Sequence, residues 1–415
     1  MKSMMGAIVA AVLAAGSAAW AAEGQSPFHV ENSLRVGYDD NVTYASADEL
    51  DSAFITEELS LSMDQVYQAG FLGIRYRPAL TWYEDLGDGS QSDWSHVADI
   101  TWSQQLSRRL TLSLQDTFFF YDRSDVVDAD GALRQANYGY IYNSASAALN
   151  VMLTPKARLS GVGRYQIMRY DEDFLSLRDD FDIVAGGLSF GLQVGKSATV
   201  FVDGALEDIS YDHAGETTSE VYMPGYDATT VTEIPDRSAQ TYSIGLGLEN
   251  TFSPNLMGRI RAGYSAKEMD AANMADDDSP YGELSVTIAP KPTTRLTLGA
   301  GYSMYQSGLT TFANQQRTTL SANLAHDLTA KITLSLVGQY YMSDYDSESS
   351  VDVVDAASVS DGSESAITVG ARASFAVTRN NYVDVGYTYT QFDSDFTGRV
   401  DAERHRVDLG WRIRM

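Results

Sequence analysis

The amino-acid sequence predicts an all-β fold, a transmembrane up-and-down antiparallel β-barrel of about 18 strands. Three observations support this prediction. Apolar and polar residues alternate in segment after segment along the chain. Short turns and long loops alternate between those segments. An export signal stands at the N-terminus, so the rest of the chain is expected to act outside the cytoplasm.

The alternation of apolar with polar residues is clearest in the last predicted strand. Val407, Leu409 and Trp411 share one face there, while Asp408 and Arg412 share the other. Because side chains of a strand point alternately to its two faces, one face would meet lipid and the other a polar interior. The same pattern predicts strands at residues 28–38, 53–63, 69–83, 94–106, 110–121, 138–152, 157–169, 180–192, 197–210, 238–251, 256–268, 281–289, 294–306, 315–326, 331–343, 365–377, 382–392 and 404–415.

Two kinds of connection alternate between these predicted strands. The short turns are Asp64–Gln68, Ser107–Arg109, Thr154–Lys156, Gly195–Lys196, Ser253–Asn255, Pro290–Thr293, Asp327–Ala330 and Thr378–Asn381. The longer and mostly acidic loops include Glu84–Asp93, Asp122–Asn137, Tyr211–Arg237, Met269–Pro280 and Asp344–Glu364. In an outer-membrane barrel the short turns face the periplasm and the long loops face the cell exterior. An even strand count then places both chain termini on the periplasmic side.

The composition narrows the classes of function. The 415-residue chain has a formal net charge of −27, which argues against nucleic acid as a partner, because phosphate binding needs a basic surface. It contains no cysteine, which excludes disulfides and thiolate metal sites. Its 25 tyrosines suit the aromatic belts at membrane interfaces. The acidic residues concentrate in the long loops, and solvation of those loops explains them best.

The first 21 residues read as an export signal. Lys2 supplies the positive start, residues 4–15 are apolar, and Ala19 and Ala21 occupy the two positions that signal peptidase reads. We therefore predict a signal peptide over residues 1–21 and a single outer-membrane β-barrel domain over residues 22–415. The protein would reach the bacterial outer membrane through the periplasm.

Two short runs resemble known barrels. Leu34–Val42 is similar to the opening strand of the putative beta-barrel porin 2 type of outer-membrane proteins. The C-terminus resembles the assembly signal of outer-membrane proteins, although its last residue is a methionine where an aromatic is usual. The residues that carry this second resemblance are Gly410, Trp411, Ile413 and Met415. Together they imply a porin-like barrel recognised by the barrel assembly machinery, in a family with some members encoded beside exopolysaccharide export genes.

The residues opposite the apolar face would point into the barrel. The candidate pore-lining residues are Arg35, Arg75, Arg77, Arg158, Arg164, Arg259, Arg261, Arg372, Asp384 and Arg412. An arginine-rich wall would favour anions or hydroxyl-rich solutes, because a guanidinium stays charged and donates from a planar fork. The same residues could instead hold carboxylates across strands and stiffen the barrel, and the sequence leaves both interpretations open. No interior helix or plug is indicated, although Tyr211–Arg237 is long enough to fold inward.

The sequence does not indicate an enzyme. Gly187–Gly191 matches the pattern Gly-x-Ser-x-Gly, but it lies in a predicted strand without the strand-to-helix turn that a nucleophile elbow needs. None of the five histidines has metal-ligand spacing, and no cofactor is predicted.

Three functions remain open at this point. The first is a channel for passive passage of small hydrophilic solutes or anions, favoured because a barrel of about 18 strands encloses an aqueous lumen. The second is the barrel component of an exopolysaccharide export system, acting with a periplasmic export partner. The third is a structural or surface barrel without open conductance. The expected partners are outer-membrane lipids, lipopolysaccharide and the barrel assembly machinery.

Overall fold

The structure is a computed structural model that describes residues 27–46, 49–86, 91–123, 138–216, 221–223, 226–229, 234–272, 274–309, 312–346, 361–396, 399 and 401–415. The signal peptide predicted for residues 1–21 lies outside the described residues. Among the residues that are described, no helix is both long and apolar enough to cross a membrane.

Strands make up almost all of the described chain. In chain order they are β1 (Phe28–Asp39), β2 (Ser52–Tyr67), β3 (Gly70–Tyr83), β4 (Ser92–Ser107), β5 (Leu110–Tyr121), β6 (Tyr140–Thr154), β7 (Ala157–Tyr170), β8 (Phe181–Gln193), β9 (Ala198–Tyr211), β10 (Val221–Met223), β11 (Tyr226–Thr229), β12 (Ala239–Ser253), β13 (Leu256–Met269), β14 (Asp277–Lys291), β15 (Thr294–Gln306), β16 (Asn314–Thr329), β17 (Ile332–Tyr345), β18 (Gly362–Ala376), β19 (Asn381–Ser394) and β20 (Ala402–Arg414). One short helix, α1 (Asp173–Asp179), lies between β7 and β8.

Eighteen of these strands form one closed antiparallel sheet. Each strand pairs with its neighbours along the chain, and β9 pairs directly with β12, so the short β10–β11 hairpin lies within a loop. The first strand pairs with the second and also with the last, from Glu31 opposite Arg414 to Asp39 opposite Arg406. Closure pairs both edges of the sheet, which membrane-spanning strands require because lipid offers no hydrogen-bond partners. The predicted 18-strand up-and-down barrel is confirmed.

Several strands extend beyond their predicted ends. β2 continues to Tyr67 rather than stopping at residue 63, and β14 begins at Asp277 rather than at residue 281. Apolar alternation marks only the part of a strand that faces lipid, whereas backbone pairing continues into polar residues beyond it. Asp277 and Asp278 therefore belong to β14, and assigning them to a long loop was wrong.

The two faces of the barrel wall differ in chemistry. On the outer face, Leu188, Ile244 and Leu246 are 66%, 64% and 61% exposed, as expected of side chains that contact lipid. On the other face, Arg372 of β18 reaches Asp408 of β20 across the intervening strand β19. Side chains converge on the concave side of a curved sheet, so this second face is the interior.

Short turns and long loops gather at opposite ends of the barrel. The end with turns such as residues 108–109 and 155–156 is here called the short-turn end, and the other the long-loop end. α1 belongs to the long-loop end, and its Leu175 packs on inward-facing residues of β7 and β8. The expectation of no interior helix was therefore wrong. A seven-residue helix is too short to show helical periodicity in the sequence.

Candidate channel wall and mouth

All ten candidate pore-lining residues lie on the inner face of the barrel. The strand register places Arg35 opposite Gly410, Arg75 opposite Asp99, and Arg259 opposite Ser285, all on inward-facing positions. The remaining candidates share the same parity on their strands. That they line a conducting channel stays a prediction.

Most of these residues are held in ion pairs along the wall. Arg158 lies 2.8 Å from Glu249, Arg164 lies 2.6 Å from Glu207, and Arg372 lies 3.1 Å from Asp408. The other pairs are Arg35 with Glu58 at 3.0 Å, Arg77 with Asp99 at 3.9 Å, Arg261 with Asp203 at 2.5 Å, and Arg412 with Asp384 at 2.8 Å. The more exposed of these pairs, such as Arg158 with Glu249, contribute only about 0.2–1 kcal/mol each. They fix the positions of the guanidinium groups more than they stabilise the fold.

Glycines let several of these pairs skip a strand. A Cβ atom on Gly386 would lie 2.2 Å from Asp408 and 2.7 Å from Arg372, so only glycine leaves room for this pair to cross β19. Gly245 lies below Arg261 and Asp203, but an added Cβ there would first meet the Tyr281 hydroxyl at 2.3 Å and the Asp203 carboxylate only at 3.2 Å. An inward-facing side chain at Gly386 would displace the ion pair that lies over it.

Two of the ten candidates belong to no ion pair among the described residues, namely Arg75 and Arg259. Arg295 of β15 was not among the candidates, but it too belongs to no ion pair with a described residue. All three side chains are exposed toward the interior. The ion-pair interpretation therefore describes eight of the ten candidates, and for the unpaired arginines the channel interpretation stays a prediction.

At the long-loop end, the interior along β6 to β9 and β12 is apolar instead. A cluster here called the mouth cluster covers the inner ends of β6 to β9 and β12. Its buried members are Tyr140, Tyr142, Met168, Tyr170, Leu175, Phe181, Ile183, Ile209, Tyr211 and Ala239. These side chains escape water because α1 covers them from the inside of the barrel. The mouth is thus narrowed by a loop that folds inward.

A buried ion pair fastens this loop to the wall. Arg237 and Asp179 are only 3% and 2% exposed at their side chains, and the Arg237 guanidinium also lies 4.5 Å from the centre of the Tyr211 ring. Next to them, burial raises the pKa of Asp180, although the Tyr170 N–H and the Ser176 hydroxyl both donate hydrogen bonds to its carboxylate. The long loop at Tyr211–Arg237 was predicted to be able to fold inward, and its end at Arg237 does contact the inner wall.

Described residues of two other loops also pack on the inner wall at the long-loop end. Tyr44, from the loop between β1 and β2, packs with Ala366, Phe392 and Ala402 on the inner wall. Phe312, from the loop between β15 and β16, packs against the ring of Tyr345 at 5.2 Å. The interior thus has two zones. In the mouth the inward-facing side chains are buried, with aromatic rings along β6 to β9 and buried ion pairs such as Arg404 with Asp39 elsewhere, whereas the charged wall closer to the short-turn end is more exposed.

Sequence reasoning missed several residues of the site. The acidic partners Glu31, Glu58, Asp203, Glu207 and Glu249 were not selected, although each has inward-facing parity on its strand. That parity was the available signal. The aromatic residues of the mouth gave no comparable signal, because an apolar residue on either face of a strand fits a barrel.

The Gly-x-Ser-x-Gly string and two of the histidines lie on opposite faces of the barrel wall, with Ser189 opposite Ser160 on the inner face. Gly187–Gly191 lies wholly inside β8, with no turn at Ser189, as the sequence indicated. His96 and His405 are on the outer face, where each ring lies within 2.9 Å of a tyrosine hydroxyl. Within the described residues, no group of three or more acidic or histidine side chains is placed to hold a metal ion.

The predicted assembly signal occupies the strand that closes the ring. Gly410 faces inward against Arg35, while Trp411 and Met415 are 45% and 69% exposed on the outer face. Ile413 shares the outer parity. Recognition of this strand by the assembly machinery remains a prediction.

A family model described as Putative beta-barrel porin 2 matches residues 177–415, which is more than half of the chain. No curated protein matches the sequence.

Several solved outer-membrane barrels resemble the structure over nearly their whole length. The outer membrane protein opdK of Pseudomonas aeruginosa is 10% identical, with 94% of this chain and 99% of that chain covered and a TM-score of 0.46. A BenF-like porin of Pseudomonas fluorescens Pf-5 gives the same values. OccAB3 of Acinetobacter baumannii is 11% identical, with 94% and 100% covered and a TM-score of 0.44.

Proposed function

The chain belongs to the Putative beta-barrel porin 2 family, and from this premise we propose that it forms a polar channel for passive passage of small hydrophilic solutes, with a preference for anions. One observation supports the proposal above the others. Arg75, Arg259 and Arg295 are exposed to the interior without an ion-pair partner among the described residues. A charged group that serves only to stiffen the wall would be expected to have its partner.

The ion pairs around these arginines support the anion preference. Carboxylates such as Glu207, Glu249 and Asp408 are already neutralised by arginines. The described inward-facing charges outside ion pairs then include Arg75, Arg259 and Arg295 on the positive side and Asp64 and Asp327 on the negative side. Fixed positive charges that line a water-filled passage attract anions.

Conductance of the refolded mature protein in a planar lipid bilayer tests this proposal. We expect steady single-channel steps and a reversal potential shifted toward that of the anion. The combined change of Arg75, Arg259 and Arg295 to Gln should reduce anion preference while leaving steps present. Arg169→Gln is the matched control, because Arg169 lies on the outer face and pairs with Asp182 there.

Two results would contradict the proposal. The first is the absence of steps from protein shown to be folded, which would favour a barrel that conducts only with a periplasmic partner or not at all. The second is an unchanged reversal potential in the triple variant.

A further inference from the structure

We propose that the inner wall of β13 to β16 holds a binding niche for a hydroxylated monocarboxylate, a ligand of the sugar-acid class. The inference deepens the channel function proposed above, since it names a solute that the wall would select. It stands on one recess in the wall, on the hydrogen-bonding groups around that recess, and on one arginine at its edge.

The floor of the niche is made by two glycines on β15. Gly299 and Gly301 both face inward, and the recess above them has a volume of about 320 Å³. Added Cβ atoms would lie 2.5 Å from the Ser321 hydroxyl and 2.8 Å from the Thr319 hydroxyl. The recess exists because neither position carries a side chain. Its volume lies at the lower end of the range for small-molecule pockets, about 300–1,000 Å³.

Free hydroxyl groups border the recess on both sides. Ser285 pairs with Gly299 from β14, and Ser321 pairs with it from β16, so their Cα atoms are about 10 Å apart across the floor. Ser303 and Thr319 add two further hydroxyls. Within the part of the chain that the structure describes, none of these four hydroxyls has a hydrogen-bond partner. Each offers one donor and two acceptor sites, which complements the hydroxyl groups of a carbohydrate.

A positive charge lies at one edge of the same row. The register runs from Arg259 to Ser285 to Gly299 to Ser321 across four neighbouring strands. Arg259 stacks on the ring of Phe201 at 4.9 Å, which leaves the edge of its guanidinium available. It forms no hydrogen bond or ion pair with any described residue.

The two nearest carboxylates are bound by other arginines. Glu249 lies directly opposite Arg259 but pairs with Arg158 at 2.8 Å, and Glu283 lies 3.4 Å from Arg261. Arg259 thus keeps all its N–H donors for a ligand. A guanidinium presents these donors in a fork that matches a carboxylate.

These features select the ligand class. A carboxylate would bind Arg259 while hydroxyls on the same molecule reach the serines and threonine of the two flanking strands. Glu283 borders the recess and would repel a second negative charge, so a monoanion fits better than a dianion. The inward-facing ring of Tyr305 has the Arg317 guanidinium 4.6 Å above it, so that face is not free to stack on a sugar ring.

Isothermal titration of sodium gluconate into the detergent-solubilised full barrel tests the niche. We expect gluconate to bind. Glucose, which lacks the carboxylate, and propionate, which lacks the hydroxyls, should both bind more weakly. Arg259→Gln should weaken gluconate binding about tenfold, the typical effect of losing a charged hydrogen-bonded contact. Gly299→Val, which fills the floor, should weaken gluconate and glucose alike.

Arg295→Gln is the matched control, because Arg295 is an inward-facing arginine without an ion pair that lies outside the recess. Equal loss of gluconate binding in Arg295→Gln and Arg259→Gln would overturn the niche in favour of a general effect of wall charge. Undiminished gluconate binding by a folded Arg259→Gln barrel would overturn it as well. A barrel that conducts chloride yet binds no gluconate refutes the niche alone, whereas one that binds gluconate but never conducts refutes only the channel.

Discussion

The two zones of the interior differ in what occupies their inward-facing positions. At the long-loop end these positions hold rings such as Tyr140, Tyr170 and Phe181, which are buried under loops that fold inward. Toward the short-turn end they hold arginines and carboxylates, such as Arg158 and Glu249, which remain about half exposed. An inward-facing position is therefore not by itself a position in contact with solvent. Whether another segment covers it decides which kind of side chain is stable there.

Different interactions therefore hold the two zones in place. The mouth is fixed by burial of apolar surface, which contributes about 25 cal/mol per Å² and needs close packing, and by the buried ion pair of Arg237 with Asp179. The charged wall is fixed by ion pairs that each contribute little and leave polar groups in contact with water. We expect changes in the mouth to alter the size of the passage, and changes in the wall to alter which solutes pass.

The largest effect is expected from breaking the buried ion pair of the mouth. Asp179→Ala leaves the Arg237 charge buried without its carboxylate, which typically costs about 3–5 kcal/mol. The loop with α1 should then detach, conductance should rise, and trypsin should cleave after Arg178, which is only 5% exposed in the packed loop. Mass spectrometry of the digest identifies the cleavage site.

The double variant Asp179→Ala/Arg237→Ala serves as the control for that change. Removing both charges leaves neither buried alone, so the double variant should be cleaved more slowly than the single variant. If the single variant were as resistant to trypsin as the unchanged protein, the ion pair would not hold the mouth.

A smaller effect is expected from a side chain placed under an ion pair of the wall. Gly386→Ala puts a methyl group where Arg372 and Asp408 meet, so the pair should separate and thermal stability should fall by about 1 kcal/mol. Gly370→Ala is the matched control, since Gly370 also faces inward on the neighbouring strand. A Cβ atom added there would have its nearest contacts 4.0 Å away. The temperature at which each variant unfolds is read from the heat-induced change in its gel mobility. Equal unfolding temperatures of the two variants would refute the role of Gly386.

The smallest effect is expected from pH, through Asp180 in the mouth. Burial raises the pKa of this carboxyl in the packed loop above its unfolded value of about 3.9, so the packed loop favours the neutral acid. The packing should therefore be tightest below pH 4 and weaken as the pH rises through the raised folded-state pKa. Conductance measured from pH 4 upward should increase modestly over this range. The rise should be absent in Asp180→Asn, and a rise of the same size there would assign it to another group.

The sequence predicted the barrel well because its main signal is local. Alternation along one strand, as from Val407 to Met415, identifies a strand and its outer face without knowledge of its neighbours. The positions of the arginines on the inner face follow from the same parity. Their partners do not, because Arg372 meets Asp408 only through the register of three strands and the absence of a side chain at Gly386.

Alternation along single strands did not predict the mouth cluster, and the reason differs from that for the ion pairs. Phe181 and Ile183 face inward while Val184 faces outward, so apolar residues stand on both sides of β8 at its long-loop end. Only the loop that covers them explains the inward-facing ones. That loop contains a helix of one to two turns with no side-chain cap, which leaves little trace in the sequence.

The closing pair of strands bears on how the barrel is assembled. Asp39 of β1 is fully buried and is held by Arg404 of β20, a residue 365 positions later in the chain. Arg412 and Arg414 meet Glu31 across the same seam. No hairpin and no partial sheet can form these contacts, so they arise only when the last strand meets the first. Opening the seam would separate Asp39 from Arg404 and Glu31 from Arg412 and Arg414 together, so these ion pairs form as one set and make completion of the ring cooperative.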